Sequence, residues 1–299
     1  MKNHFILFLK GMAMGVANVI PGVSGGTIAL ITEIYEDLIN SLKSLDIYAL
    51  KLILKFKFKE FVEYTNFYFL LEIFGGSIVS VFSIASLFKY LFEYYPIFIW
   101  AFFFGLILAS IYFVGKRITK WTLWNIVILI FGAAVAFSIS FISPTSENEN
   151  LFYVFICGII GISGMMLPGL SGSFILILMG NYELLMVNAI TDLNVLLLSV
   201  FLLGSIFGLI SFSQVLSWVF KYYKNATLAL LTGFILGSLN IIWPWKKELK
   251  YIIVNGEKKI LSYDKYFPNQ FDSETIIAFT LLFLGFLIVF SMERFSTTK

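Results

Sequence analysis

Apolar positions in this chain come as long continuous runs, without the alternation of a half-buried strand or the one-sided stripe of a surface helix. Crossing a hydrocarbon layer takes about 20 apolar residues. Six runs approach or exceed that length: 68–92, 97–115, 122–142, 194–220, 227–244 and 274–292. Two further stretches, 5–40 and 151–190, are apolar but interrupted. Each half of these is about 15 to 17 residues long, short for a full crossing. The pattern predicts two re-entrant hairpins, each entering and leaving on one side.

The interruptions are nearly one phrase used twice. Pro21-Gly22-Val23-Ser24-Gly25-Gly26-Thr27 returns 147 positions later as Pro168-Gly169-Leu170-Ser171-Gly172-Ser173-Phe174. A Tyr-Glu pair follows each copy at the same offset, Tyr35-Glu36 and Tyr182-Glu183. Proline removes a backbone donor and glycine admits unusual dihedrals and close approach. Unpaired backbone groups in lipid cost several kcal/mol each, so such a break persists only where protein or water covers it. Beyond each break a helix restarts that Ser24 or Thr27, and Ser171 or Ser173, can cap, with its first amides free. Free N–H groups and hydroxyls at a helix start attract anions. Two such starts meeting near the midplane predict a phosphate cradle of Ser24, Gly25, Gly26, Thr27, Ser171, Gly172 and Ser173. Small residues also gather where membrane helices pack tightly. Two matched copies, each with a proline, favour the site, since paired interrupted segments point to a transporter's binding site.

Loop charge sets the expected sidedness. Lys43, Lys51, Lys55, Lys57 and Lys59 lie in 43–59, Lys116, Arg117 and Lys120 after 115, Lys221 and Lys224 near 221, and Arg294 and Lys299 in the tail. The loops 143–150 and 191–194 carry no basic residue. The basic segments are therefore expected in the cytoplasm. Six crossings and two hairpins then alternate consistently, the first hairpin opening from the cytoplasm and the second from outside. The polar loop 245–273, of mixed charge, falls outside; long mixed loops are exported despite some lysines.

The repetition extends past the breaks. Gly105-Leu-Ile-Leu-Ala-Ser110 matches Gly233-Phe-Ile-Leu-Gly-Ser238, and Gly75-Gly76-Ser77 corresponds loosely to Gly204-Ser205. Each half holds one hairpin and three crossings, and an odd number of crossings turns the second half over. The predicted fold is an all-α polytopic membrane protein of two inverted-topology repeats, 1–142 and 151–299, with the site at their interface. The basic-aromatic stretch within 43–66 reads as an interfacial helix or strand on the anionic leaflet. A solvated loop is the other reading.

Several polar residues have two readings. Asn18, three residues before Pro21, is placed to support the first break. Glu36, Asp37, Glu183 and Glu72 are solvated interface charges or carboxylates that take up a proton, since ionisable groups at membrane depth are costly and functional. Glu36 and Glu183 are expected to gate or couple transport, with a proton or cation as partner. Lys10 snorkels to the interface or faces the anion. Arg117 and Arg294 anchor the cytoplasmic side or touch a headgroup.

Composition narrows the classes. The chain has 299 residues, 59% hydrophobic and 13% charged, with mean hydropathy +0.91. Soluble domains carry about 25% charged residues. No polar domain exists to bind nucleic acid. Cys157 is the lone cysteine and His4 the lone histidine, which argues against a cysteine or histidine metal site and a histidine-based triad. The N-terminus is expected to be retained, with no small-residue cleavage site. Gly22-Val23-Ser24-Gly25-Gly26 satisfies a nucleophile-elbow pattern, leaving an intramembrane serine hydrolase as a minor reading. That reading needs a base for Ser24, and His4, the sole histidine, sits near the terminus. No Walker A pattern is present, and neither cofactor nor metal is expected.

The stretch Gly15-Val-Ala-Asn-Val-Ile-Pro-Gly-Val-Ser-Gly-Gly-Thr27, its second copy and the two Tyr-Glu pairs resemble the bacterial polyprenyl-phosphate transporters of the PopT type. The likeness covers nearly the whole chain. It departs at Glu33, where the second copy has Gly180, and in the loop 245–273. It implies that undecaprenyl phosphate, left on the outer leaflet after delivering envelope sugars, is returned across the bacterial cytoplasmic membrane, with no covalent chemistry. A transporter of a small soluble anion or ion using the same tips is the alternative.

Overall fold

The computed structural model describes residues 4–19, 23–142, 144–254, 257–270 and 272–296. Pro21, with Ile20 and Gly22, lies outside the described residues, as does the tail after 296. The interrupted stretch 5–40 forms α1 (His4–Val19), a short α2 (Gly25–Ile31) and α3 (Tyr35–Lys43). Its counterpart forms α9 (Leu151–Met166), a short α10 (Gly172–Leu178), a π-helical turn Leu184–Asn188 and α11 (Ala189–Thr191). The chain leaving each break is thus not one half of 15 or more residues. It stops after two turns, because Glu33 and Gly180 take left-handed backbone conformations (φ 62° and 74°) that a right-handed helix cannot continue through.

The predicted long runs are helices within a few residues of expectation: α6 (Phe67–Tyr94), α7 (Pro96–Lys116), α8 (Leu123–Ile139) and α13 (Ser273–Ser296). The runs 194–220 and 227–244 join as α12 (Val195–Ser238), broken at Tyr223 (φ −133°, ψ 43°). A straight helix of that length would span about 66 Å, twice the hydrocarbon thickness. The break at Tyr223 divides it into a first leg, 195–222, long enough for one crossing, and a second leg, 224–238, that stops short of the full crossing expected over 227–244. Among the described residues, four helices are long and apolar enough to cross a membrane (α6, α7, α12 and α13), and α8 and α9 are shorter apolar helices.

The basic segment is helical, α4 (Ile47–Leu54) and α5 (Phe58–Thr65), with Asp46 capping α4 through Tyr48 N and Ala49 N. Among the described residues, the one departure from an all-α chain is in the polar loop. There β1 (Lys246–Val254) pairs antiparallel with β2 (Glu257–Lys265), from Lys246 opposite Lys265 to Val254 opposite Glu257. The strands flank Asn255-Gly256, a pair that strongly favours a tight hairpin, next to the β-branched run Ile252-Ile253-Val254.

Glycines decide how the helices pair. α1 lies along α6, and a Cβ on Gly11 would sit 2.3 Å from Ile73 O. α9 lies along the first leg of α12, where a Cβ on Gly158 would sit 2.4 Å from Phe201 O. Gly11 and Gly158 are again 147 residues apart. α7 lies along α13 and α8 along the second leg of α12. Gly105 and Gly233, equivalent in the sequence repeat, mediate these contacts against Leu282 O and Leu129 O. Small residues at these points let the backbones approach to where dispersion replaces the missing hydrophobic drive between helices in lipid. The largest buried apolar cluster surrounds α2 and α3, with walls from α7 and the second leg of α12.

Candidate functional site

The two breaks meet. Ser24 and Thr27 are fully buried at the start of α2, against the backbone where α9 ends. Ser24 Oγ lies within donating distance of Met165 O (3.2 Å) and Leu167 O (3.1 Å). Gly169 N donates to Thr27 Oγ1 at 3.0 Å, and the Tyr35 hydroxyl donates to Met166 O at 2.9 Å. Ending a helix inside lipid strands its last carbonyls. Three side chains of the first copy reach the backbone of 165–169 in the second: Ser24 shares its one hydroxyl proton between Met165 O and Leu167 O, Tyr35 donates to Met166 O, and Thr27 accepts from Gly169 N. A Cβ on Gly26 would lie 2.8 Å from Met166 O, so this residue is small because the second break passes over it.

The start of α2 is closed by its own neighbours. Gly25 N donates to Asn18 Oδ1 (2.8 Å), Gly26 N to Ser24 Oγ (3.1 Å) and Thr27 N to Ser24 O (2.9 Å). The amides expected to be free at the first break are therefore engaged in this conformation. The second break is looser. Leu167 is extended, Gly169 has φ 80°, and Ser171 caps α10 by backbone position with no side-chain cap bond. The hydroxyls of Ser171 and Ser173 bond to each other at 2.8 Å. Ser171 is buried, while Gly172 and Ser173 are half-buried.

The other ends of the short helices are held differently. Arg117 donates to Leu30 O (2.8 Å) and Ile31 O (3.2 Å), and pairs with Glu33 at 3.0 Å. Lys10 Nζ donates to Thr32 O at 2.6 Å. Cations thus hold the C-terminus of α2, the negative end of its dipole. In the second copy a neutral loop does this work: Thr145 N and Thr145 Oγ1 donate to Leu178 O at 2.9 and 3.2 Å. In the sequence Lys10 is a cation inside an apolar run and Arg117 is one of three cations in a basic turn, with nothing to mark a backbone partner for either. Their carbonyl partners lie 22 and 86–87 residues away, beyond any local signal.

The Tyr-Glu pairs split. Tyr35 is buried in the contact between the breaks, whereas Tyr182 is exposed. Glu36 is exposed and pairs with Lys224 at 2.6 Å, and Glu183 is half-buried. The carboxylates stand beyond the left-handed turns, about 10 Å of helix away from the serines. Glu33, Glu36, Asp37, Arg117 and Lys224 line a polar cavity of about 450 Å³ next to Tyr35. His4 sits at the far end of α1 from Asn18, where its Nδ1 meets Glu72, so the serine of the first break has backbone carbonyls for neighbours and not the histidine.

A family model described as VCA0040-like, undecaprenyl phosphate translocase-like, matches residues 14–260. The chain belongs to that family. The matched span includes both breaks, and α13 lies beyond it. The polyprenyl-phosphate transporter of Vibrio cholerae serotype O1 is 38% identical over 301 residues, covering 98% of this chain and 97% of that protein. The polyprenyl-phosphate transporter of Staphylococcus aureus is 31% identical over 257 residues, covering 80% and 86%. Both relatives are named as transporters. No solved structure matches the chain.

Proposed function

We propose that this protein translocates a polyprenyl phosphate across the bacterial cytoplasmic membrane, returning the lipid carrier for envelope synthesis. Membership of the translocase-like family supports the substrate class. The single structural observation behind the mechanism is the junction of the two breaks, where Ser24, Thr27 and Tyr35 bond the backbone of 165–169.

A phosphate monoester carries about −1.5 to −2 charge at neutral pH, and hydrocarbon rejects such a charge. The prenyl tail needs no such help. The task is therefore a small polar cradle with apolar walls and sideways access. In this reading the junction lies near the midplane, between two re-entrant hairpins and two inverted repeats with three crossings each. The matching glycine contacts of α1–α6 with α9–α12, and of α7–α13 with α8–α12, support that symmetry. Ser171, Gly172 and Ser173 take the headgroup first, being less enclosed. Ser24, Gly25, Gly26 and Thr27 join when their bonds to the second break open, with Asn18 holding the turn. Glu36 and Glu183 gate each side, the former through its pair with Lys224, and accept the coupling proton or cation. The chain performs no covalent step.

The test is reconstitution of the full chain in liposomes, following a polyprenyl phosphate between leaflets. Ser171→Ala/Ser173→Ala is expected to slow transfer at least tenfold while the protein stays folded, and Ser24→Ala/Ser171→Ala to do likewise. Rates equal to wild type in both double variants would remove the site.

A further inference from the structure

Beside the first break lies an apolar cavity of about 240 Å³, between α1, α2, α6, α7 and α13. Val23 forms part of its wall, and the next residue is Ser24. Ala13 and Ala17 make the α1 side shallow, and Phe102, Phe103 and Leu106 face them from α7. The Phe88 and Phe103 rings, 5.9 Å apart, join α6 to α7 at one edge. Ile288, which is 38% exposed, stands at the rim on α13. Close approach of α13 creates this wall, since a Cβ on Gly285 would lie 2.2 Å from Phe102 O. Thr32 is the one polar lining residue, and its hydroxyl donates to Ile28 O at 2.8 Å. With that proton spent, the walls offer a water only the Thr32 hydroxyl oxygen, fewer than the two to four partners a buried water needs, so the space suits hydrocarbon.

The second half fills the corresponding place with its own side chain. Gly164 and Ile175 correspond to Ala17 and Ile28. Ile175 Cδ1 lies 2.1 Å from where a Cβ on Gly164 would be, so the isoleucine occupies the space above that glycine. In the first half Ile28 borders a void instead. The first half carries an apolar cavity at this place, and it abuts the break.

We infer that this cavity receives the isoprene units nearest the phosphate, so that the protein reads the branched tail together with the headgroup. The inference rests on the breaks being the headgroup site. Continuity names the occupant: Val23, which lines the cavity, is the residue next to Ser24 at the break, so the units nearest a phosphate held there have this apolar space beside them. An apolar cavity of about 150 Å³ accepts benzene, so this one has room for a branched segment of one or two five-carbon units. Methyl branches fill its width, and the double bonds fix torsions that a saturated straight chain would have to freeze on binding.

The experiment uses the full chain in liposomes and a polyprenyl phosphate bearing a diazirine in the unit nearest the phosphate. Crosslinks are expected on Val16, Phe103 or Ile288. Unlabelled polyprenyl phosphate should suppress them at least tenfold more effectively than a saturated straight-chain alkyl phosphate of equal carbon number. Ile288→Trp, at the exposed rim, should reduce that preference at least fivefold while alkyl phosphate still competes as in wild type. Crosslinks confined to other surfaces, equal competition by the two phosphates, or equal labelling of the cavity by a diazirine glycerophospholipid would overturn the inference and leave transport standing. Failure of the wild type to capture any polyprenyl phosphate would sink the functional reading and this inference together.

Discussion

Glu33 and Gly180 hold the same left-handed backbone, φ 62° and 74°, at positions 147 residues apart. At Gly180 a side chain is excluded: a Cβ would fall 2.4 Å from Thr145 O and 2.7 Å from Ser146 O. At Glu33 a side chain has a task. Its carboxylate accepts from Arg117, whose guanidinium also holds Leu30 O and Ile31 O. The place where the chain departs from its own repeat thus keeps the turn and adds an anchor for a cation.

That exchange predicts the order of two variants. A non-glycine residue in the left-handed region costs about 1–2 kcal/mol, and an exposed ion pair returns up to about 1 kcal/mol. Glu33→Gly should leave thermal stability in detergent near wild type or above it. Glu33→Ala keeps the strain without the pair and should fall about 1 kcal/mol below Glu33→Gly. An alanine variant as stable as the glycine variant would contradict the account.

Removing the Tyr35 hydroxyl leaves Met166 O without its donor, in a buried place. Tyr35→Phe should cost about 1–3 kcal/mol and slow lipid transfer. Tyr182→Phe, at an exposed position, should stay within about 0.5 kcal/mol of wild type. Unfolding midpoints of the two variants, measured side by side, decide this. Equal shifts would show that Tyr35 does not tie the breaks together.

Two glycines should respond in opposite directions. Gly169 has φ 80°, and a Cβ there would lie 2.6 Å from both the carbonyl carbon and oxygen of Phe234. Gly169→Ala should cost more than about 2 kcal/mol through strain and overlap together, seen as loss of monodisperse protein on gel filtration. Gly75 is helical and nothing lies within 4 Å of its would-be Cβ. Gly75→Ala should be neutral or stabilising by up to about 1 kcal/mol.

Lys246, in the polar hairpin, is pushed down to about 7 by burial and by neighbouring Lys265. It donates to Ile241 O and lies over the Trp100 ring at 3.6 Å. The folded state therefore releases this proton near pH 7, while the unfolded chain keeps it until its ordinary value of 10.5. The penalty for holding the charge is complete below pH 7 and is relieved as pH rises toward 10. Stability should climb across that window, by at most about 1.4 kcal/mol per pH unit from this group. Lys246→Gln should flatten the slope between pH 7 and 10 in thermal scans; an unchanged slope would assign it elsewhere.

Much of the fold was legible because lipid imposes simple rules. The runs 68–92 and 97–115 became α6 and α7 almost residue for residue, since a helix in hydrocarbon must pair its backbone along its own length. The hairpin in 245–273 went unread for the opposite reason. In a polar loop no periodic burial marks the strands, and only Asn255-Gly256 signals them. The length of α2 was likewise hidden, since a left-handed glutamate looks like any other residue in a sequence, whereas α10 ends before Gly180, a residue type that does signal such a turn.

By itself, the sequence determined that the chain is built mainly of long apolar runs, that two of them are broken by nearly the same phrase, and which residues the breaks contain. Those are local properties, set by hydropathy, by proline's missing donor and by an offset of 147. Only the tertiary structure decided that Ser24, Thr27 and Tyr35 face the carbonyls and amide of 165–169, and that Lys10 and Arg117 grip the end of α2. The partners are more than 130 residues apart at the breaks, and backbone groups carry no side-chain identity for a sequence to reveal. Which carbonyl a buried hydroxyl finds follows from how closely the helices pack, and that closeness is set jointly by glycines spread along the whole chain.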